Sequence, residues 1–252
     1  MLRAMEISAI DIFAFIWFFC CWFGYSQFAR QAAKKHNSLS SVLYRYRKEW
    51  VRKLSITGMS EVDSELLASL EKQVSFMAST SLLILASLVT VLSTSSDMFL
   101  NLGNLNFVAE VSLEMVQLKL LLLICIFIYG FFTFSWSLRQ YGFCFVLFGS
   151  SFHTVKYYKE ADNYSAKAAD RDYKSVAKVL DRAAHSYNFG LRAYYFAMAA
   201  LAWFINPYFF IVACAVTVWV LYRREFASSS LLALVSARRV TNVHEEEDIN
   251  FD

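Results

Sequence analysis

The sequence predicts an all-α, polytopic helical membrane protein with four transmembrane segments and helices that extend into the cytoplasm. Three observations predict it. Hydrophobic residues make up 58% of the 252 positions and charged residues only 18%, where an ordinary soluble domain carries about a quarter charged. One proline and seven glycines leave few turn formers for an α/β enzyme. The apolar residues also gather into runs long enough to cross a bilayer. The same composition excludes disordered, collagen-like and secreted disulfide-scaffold chains. Cys20, Cys21, Cys125, Cys144 and Cys214 lie in apolar runs with no C-x-x-C pair, and read as small buried hydrophobes.

The elements follow in chain order. Residues 7–28 form the first crossing, interrupted only by Asp11. This run is too long for a cleaved signal peptide and ends without a small-residue cleavage site. Within the connection 29–73, residues 38–54 bring Leu39, Val42, Leu43, Tyr46, Trp50 and Leu54 near one face, with Arg45, Lys48 and Arg52 turned away, the periodicity of an amphipathic helix. Thr57-Gly58 breaks it, and Ser60-Glu61-Val62-Asp63 reads as an N-cap with an acidic first turn. That helix is expected to run unbroken into the second crossing, 74–95. The third crossing, 120–138, carries no charge. The connection 139–192 contains a second mixed-charge helix, 163–186, which feeds the last apolar run, 193–222. Residues 1–235 thus form one helical membrane domain, and 236–252, with Glu245-Glu246-Glu247-Asp248, an acidic, disordered tail.

Charge sets the orientation. The connections 29–73 and 139–192 carry nine Lys and Arg each, whereas 96–119 holds only Lys119 and 1–6 only Arg3. The positive-inside rule places both long connections in the cytoplasm and the N-terminus outside. The run 193–222 fits less simply, because Asn206-Pro207 stands near its centre. As a single helix it reaches about 45 Å and crosses with a kink. As a hairpin it returns Arg223, Arg224, Arg238 and Arg239 to the inside, but each arm is only about 21–24 Å long, short of a hydrocarbon core of roughly 30 Å. The kinked crossing is favoured, with Asn206 helping to satisfy the Trp203 carbonyl that the proline frees.

Some residues are singled out by type and position. Asp11 and Lys119 lie near the same outer surface, so they are expected to pair or to edge a polar vestibule. With Arg139 and Asn206 they are the candidate polar or ion-path residues, although Arg139 also reads as an inner-surface anchor. Ser75, Ser79, Ala86, Thr90 and Ser93 make a small-residue stripe on the second crossing, and Ser186, Gly190, Ala193, Ala197 and Ala200 another on the fourth. Ser75, Ser79, Ala86, Gly190, Ala193 and Ala197 are the expected helix-interface positions, with Met77, Ile84, Leu88 and Val91 turned to lipid. Arg45, Arg47 and Trp50, in the cluster Tyr44–Trp50, are expected to meet anionic lipid headgroups. The net charge of +3 is too small to suggest a nucleic-acid partner. His36, His153, His185 and His244 all lie outside the crossings, no metal-binding His spacing occurs, and phosphate-loop and G-x-S-x-G patterns are absent. No catalytic, cofactor or metal residues are therefore assigned.

Several motifs together resemble an uncharacterised membrane family, domain of unknown function 599. They are Trp22-Phe23-Gly24-Tyr25, the Tyr44–Trp50 cluster, Phe76-Met77-Ala78-Ser79-Thr80, Phe134-Ser135-Trp136-Ser137-Leu138-Arg139-Gln140-Tyr141, Gly190-Leu191-Arg192-Ala193-Tyr194-Tyr195-Phe196-Ala197, and Leu221-Tyr222-Arg223-Arg224-Glu225-Phe226. The resemblance covers about residues 5–230. It implies a polytopic protein of the bacterial inner membrane, and supplies no reaction or ligand. The expected function is a self-associating or partner-docking membrane scaffold, in contact with lipid and with a membrane or cytoplasmic protein partner. A homo-oligomeric ion or small-solute channel is the alternative, and a lipid- or quinone-modifying enzyme is a weaker one.

Overall fold

The computed structural model describes residues 8–35, 38–102, 112–160 and 166–237, and every regular element among them is helical. In order these are α1 (Ala9–Lys35), α2 (Leu39–Thr57), α3 (Glu61–Leu102), α4 (Leu113–Glu160), α5 (Ala166–Leu201), a 3-10 turn (Ala202–Phe204) and α6 (Pro207–Phe226). A short helical stretch, 229–237, follows α6. Residues 245–248 of the acidic tail and the start of the helix expected from 163 lie outside the described residues.

Local signals account for the breaks. The Ser38 side chain accepts from the Ser41 backbone N–H while Ser41 Oγ accepts from the Ser38 N–H, capping α2. At the other end Gly58 adopts φ 83°, and its N–H bonds to the Leu54 carbonyl. A residue with a Cβ is strained in that conformation. Ser60 and Asp63 then cap α3 reciprocally, through Asp63 N–H to Ser60 Oγ (3.2 Å) and Ser60 N–H to Asp63 Oδ2 (3.2 Å). From there α3 runs 42 residues without interruption, as its sequence predicts.

Three stretches are long and apolar enough to cross a membrane: Ala9–Ala29, Glu61–Ser95 and Leu113–Gly149. This corrects the expected four. The run 193–222 is not one kinked helix, because α5 stops at Leu201 and a new helix starts at Pro207. Asn206 is its N-cap, accepting from Tyr208 N–H at 2.9 Å, and Pro207 takes the first helical position. Proline is well tolerated there, since that N–H has no partner within the helix.

The ring contacts show that the chain reverses. Going up α1, Phe15 meets Trp203, Trp22 meets Phe196, and Tyr25 meets Arg192, so α1 and α5 are antiparallel. Phe18 meets Phe210 and Phe28 meets Tyr222, so α1 and α6 are parallel. The pair α5–α6 is therefore a helical hairpin. Aromatic stacking holds its turn on α6, where Trp203 lies 4.9 Å from Phe210, and holds α5 on α1, where Trp22 lies 5.4 Å from Phe196. The end of α6 returns to the side of α2, where Tyr46 Oη donates to the Leu234 carbonyl.

Two cores result. The first joins α1, α4, α5 and α6 around Phe18, Phe196, Trp203 and Phe210. The second joins α2, α3, α4 and α5 around Leu54, Leu67, Phe134 and Leu180. The long antiparallel pair α4–α5 spans both: Lys119 meets Trp203, Phe134 meets Tyr187, and Ser137 Oγ donates to the Ala183 carbonyl at 2.7 Å. Gly190 permits this approach, because a Cβ there would lie 2.5 Å from the buried Phe134 ring.

Candidate functional site

At the end of the bundle where the hairpin turns, three polar side chains singled out by sequence come together. Asp11 sits in the first turn of α1, Lys119 in the second turn of α4, and Asn206 caps α6. Asp11 and Lys119 form no ion pair within 4 Å among the described residues. Both instead end on Trp203. The Trp203 indole N–H donates to Asp11 Oδ1 at 2.8 Å, and Lys119 Nζ donates to the Trp203 carbonyl at 2.9 Å. The ammonium also stands over the rings of Trp203 and Phe204, at 5.4 and 6.0 Å.

This arrangement has a simple cause. Pro207 has no N–H, so the Trp203 carbonyl four residues earlier lacks its helical donor. Asn206 was expected to help satisfy it, but the Asn206 side chain caps Tyr208 N–H, and the buried Lys119 supplies the donor. The expected proximity of Asp11 and Lys119 is thus present, with an indole between them. Arg139 lies apart from this group, exposed on α4.

The expected interface residues divide. Gly190, Ala193 and Ala197 are buried, with Gly190 and Ala193 packed on α4 of the same chain. Ser75, Ser79, Ala86, Thr90 and Ser93 are all exposed. The face that α3 buries within the chain is the neighbouring one, with Val74, Ala78 and Ser81, flanked by half-buried Met77, Ile84 and Leu88. Those last three were expected to face lipid.

Of the expected headgroup residues, Arg47 and Trp50 are engaged between helices. Arg47 pairs with Asp181 on α5 at 2.8 Å, and the Trp50 indole donates to Asp63 Oδ1 at 2.8 Å. Hydrogen bonds from Ser60 and from Trp50 hold the Asp63 carboxyl below the usual carboxylate range. Arg45 is exposed.

The opposite end of the bundle holds a feature that sequence reading missed. There α1, α2, α5 and α6 leave two adjoining clefts, open to solvent, which share Ser40, Asn188, Arg192 and Glu225. Its signal in sequence was faint, because Arg192 and Arg224 lie at opposite ends of one apolar run and only the hairpin brings them together. Among the described residues no group of three His, Cys, Asp or Glu converges as metal ligands do.

Fold and side chains thus define an all-helical protein with three apolar, span-length helices, a helical hairpin, and polar groups gathered at each end. The chain matches the model of the family described as Protein of unknown function, DUF599, over residues 13–230, and it belongs to that family. No curated protein and no solved structure matches it.

Proposed function

We propose that this is a multi-pass protein of a bacterial inner membrane that self-associates through the outward face of α3 and serves as a membrane scaffold. The three apolar helices cross the bilayer with the Asp11–Lys119 end outside. The hairpin α5–α6 enters from the cytoplasmic side and returns to it, putting 22 of the 24 Lys and Arg inside. The helix α4, 48 residues long, measures about 72 Å, so a large part of it projects into the cytoplasm and offers a docking surface for a partner.

The observation that carries the self-association reading is the exposure of Ser75, Ser79, Ala86, Thr90 and Ser93 on one helix. Helices in lipid gain little from burying apolar surface against each other, so they associate where small residues let backbones come close. Two of the hydroxyls on this face are already satisfied within the helix. Thr90 and Ser93 donate to the carbonyls of Ala86 and Val89, at 2.9 Å each. A low, smooth face remains. The channel reading draws less support from the geometry, because Asp11 and Lys119 both terminate on Trp203 rather than on an open path.

Mass measurement in nanodiscs tests the reading. The wild type is expected to run as an oligomer, and Ser79→Phe with Ala86→Phe as a monomer, while Met198→Phe on exposed α5 leaves the mass unchanged. A strictly monomeric wild type overturns it.

A further inference from the structure

We infer that the groove between Arg192 and Arg224 is a binding site for a phosphate-type anion carried on an apolar tail. The two clefts that share Ser40, Asn188, Arg192 and Glu225 form one groove at the end of the hairpin. Arg192 is half-buried there. Its guanidinium lies against the rings of Tyr25 and Phe189, at 5.2 and 5.3 Å. Arg224 comes from α6, lies 5.3 Å from the Tyr195 ring, and donates to the Tyr195 hydroxyl.

Neither arginine has a carboxylate within 4 Å among the described residues. The one carboxylate in the groove, Glu225, is occupied elsewhere, accepting from the Ser40 backbone N–H at 3.1 Å in the first turn of α2. A helix N-terminus attracts negative charge, and among the described residues Glu225 makes no ion pair within 4 Å with either guanidinium. His185, at the rim, is 3.6 Å from Asp181 and turns toward that partner. Two guanidinium forks held on aromatic faces are therefore left with donors to spare. Such forks match the oxygens of phosphate.

The walls identify the rest of the ligand. Leu39, Leu43, Leu191 and Leu221 line the same groove. Tyr25, Ser26 and Ala29 end the apolar stretch Ala9–Ala29. The groove therefore opens where that stretch stops. In a bilayer this is the level of the headgroups, which makes a phospholipid headgroup the fitting source and free phosphate the other. The assignment rests on the membrane reading above and is independent of self-association.

The test is binding to the purified, detergent-solubilised full chain, read by native mass spectrometry and by melting temperature. The probes are dioctanoyl phosphatidate, inorganic phosphate, and dioctanoylglycerol, which has the tails without the phosphate. Phosphatidate is expected to bind and raise the melting temperature, and Arg192→Gln to weaken binding about tenfold or more. Arg224→Gln is expected to weaken it as well, and Arg52→Gln, on an exposed side chain of α2, to leave it unchanged. Competition by inorganic phosphate assigns the site to free phosphate, and its absence assigns the site to lipid. If Arg192→Gln does not fold, Arg192→Lys keeps the charge without the fork and is expected to bind more weakly. Equal binding of dioctanoylglycerol, or phosphatidate binding indifferent to both arginine substitutions, overturns the site. Retention of the protein in washed membranes is scored separately, so that loss of the membrane reading is distinguishable from loss of the site.

Discussion

Lys119 and Trp203 meet through the one carbonyl that Pro207 strips of its helical donor, with Nζ and oxygen 2.9 Å apart. Removing the ammonium leaves a buried acceptor empty. Lys119→Met is therefore expected to cost about 1.5–3 kcal/mol, the range for a hydrogen bond to a charged group. Asp11→Asn should cost less, because an amide oxygen still accepts from the Trp203 indole. Thermal unfolding in detergent checks both, and an unchanged melting temperature in Lys119→Met would show that the carbonyl has another donor.

Gly190 lies beneath the fully buried Phe134 ring. Gly190→Ala is expected to destabilise by about 1–3 kcal/mol through overpacking, although alanine is the better helix former. Phe134→Leu in the same chain should recover part of the loss. A double-mutant cycle measures that coupling, and simple additivity would refute the contact.

The Trp50–Asp63 bond joins α2 to α3 at a site ahead of the uncharged part of α3, which begins after Lys72. Its carboxyl is held below its ordinary value in the folded chain. The stabilisation is thus fully present above the unfolded carboxylate range and is lost as pH falls through the lowered folded value. Asp63→Asn should flatten that acid limb. Indole proton shifts of Trp50 across an acid titration read it directly.

The hairpin predicts labelling from one side. Cysteines placed at Thr57 and at Ser236, both exposed, are expected to react with an impermeant maleimide from the same face of sealed vesicles. Opposite faces would restore the single kinked crossing.

Much of the fold was legible where the signal is local. Ser38, Gly58 and Ser60 mark the ends of α2 and α3 by cap chemistry that needs only neighbouring residues. The pair Asn206-Pro207 also carried a local signal, an N-cap followed by proline at the first helical position, but the same proline inside an apolar run reads equally as a kink. Deciding between them takes the rings of α1, about 190 residues earlier in sequence. Arg47 and Trp50 were assigned to lipid for a related reason. Their partners, Asp181 and Asp63, are specified by packing, and the aromatic–basic pattern alone looks the same on a membrane surface as between helices. The α3 stripe was ambiguous in sequence because small residues mark a close contact without saying whether its partner is in the same chain.

One feature bears on how the protein is made. The Ser40–Glu225 bond joins residues 185 apart in sequence, and Arg47–Asp181 joins residues 134 apart. The helix α2 leaves the ribosome long before Asp181 and Glu225 are translated. At about 5–20 residues per second, it waits roughly 10–40 s for Glu225. During that interval the amphipathic, basic helix has its bond to Asp63 on α3 and the bilayer surface, without its partners on α5 and α6. Its final seat against α5 and α6 is taken when the last stretch of chain is complete, so α2 closes the fold although it is among the first helices synthesised.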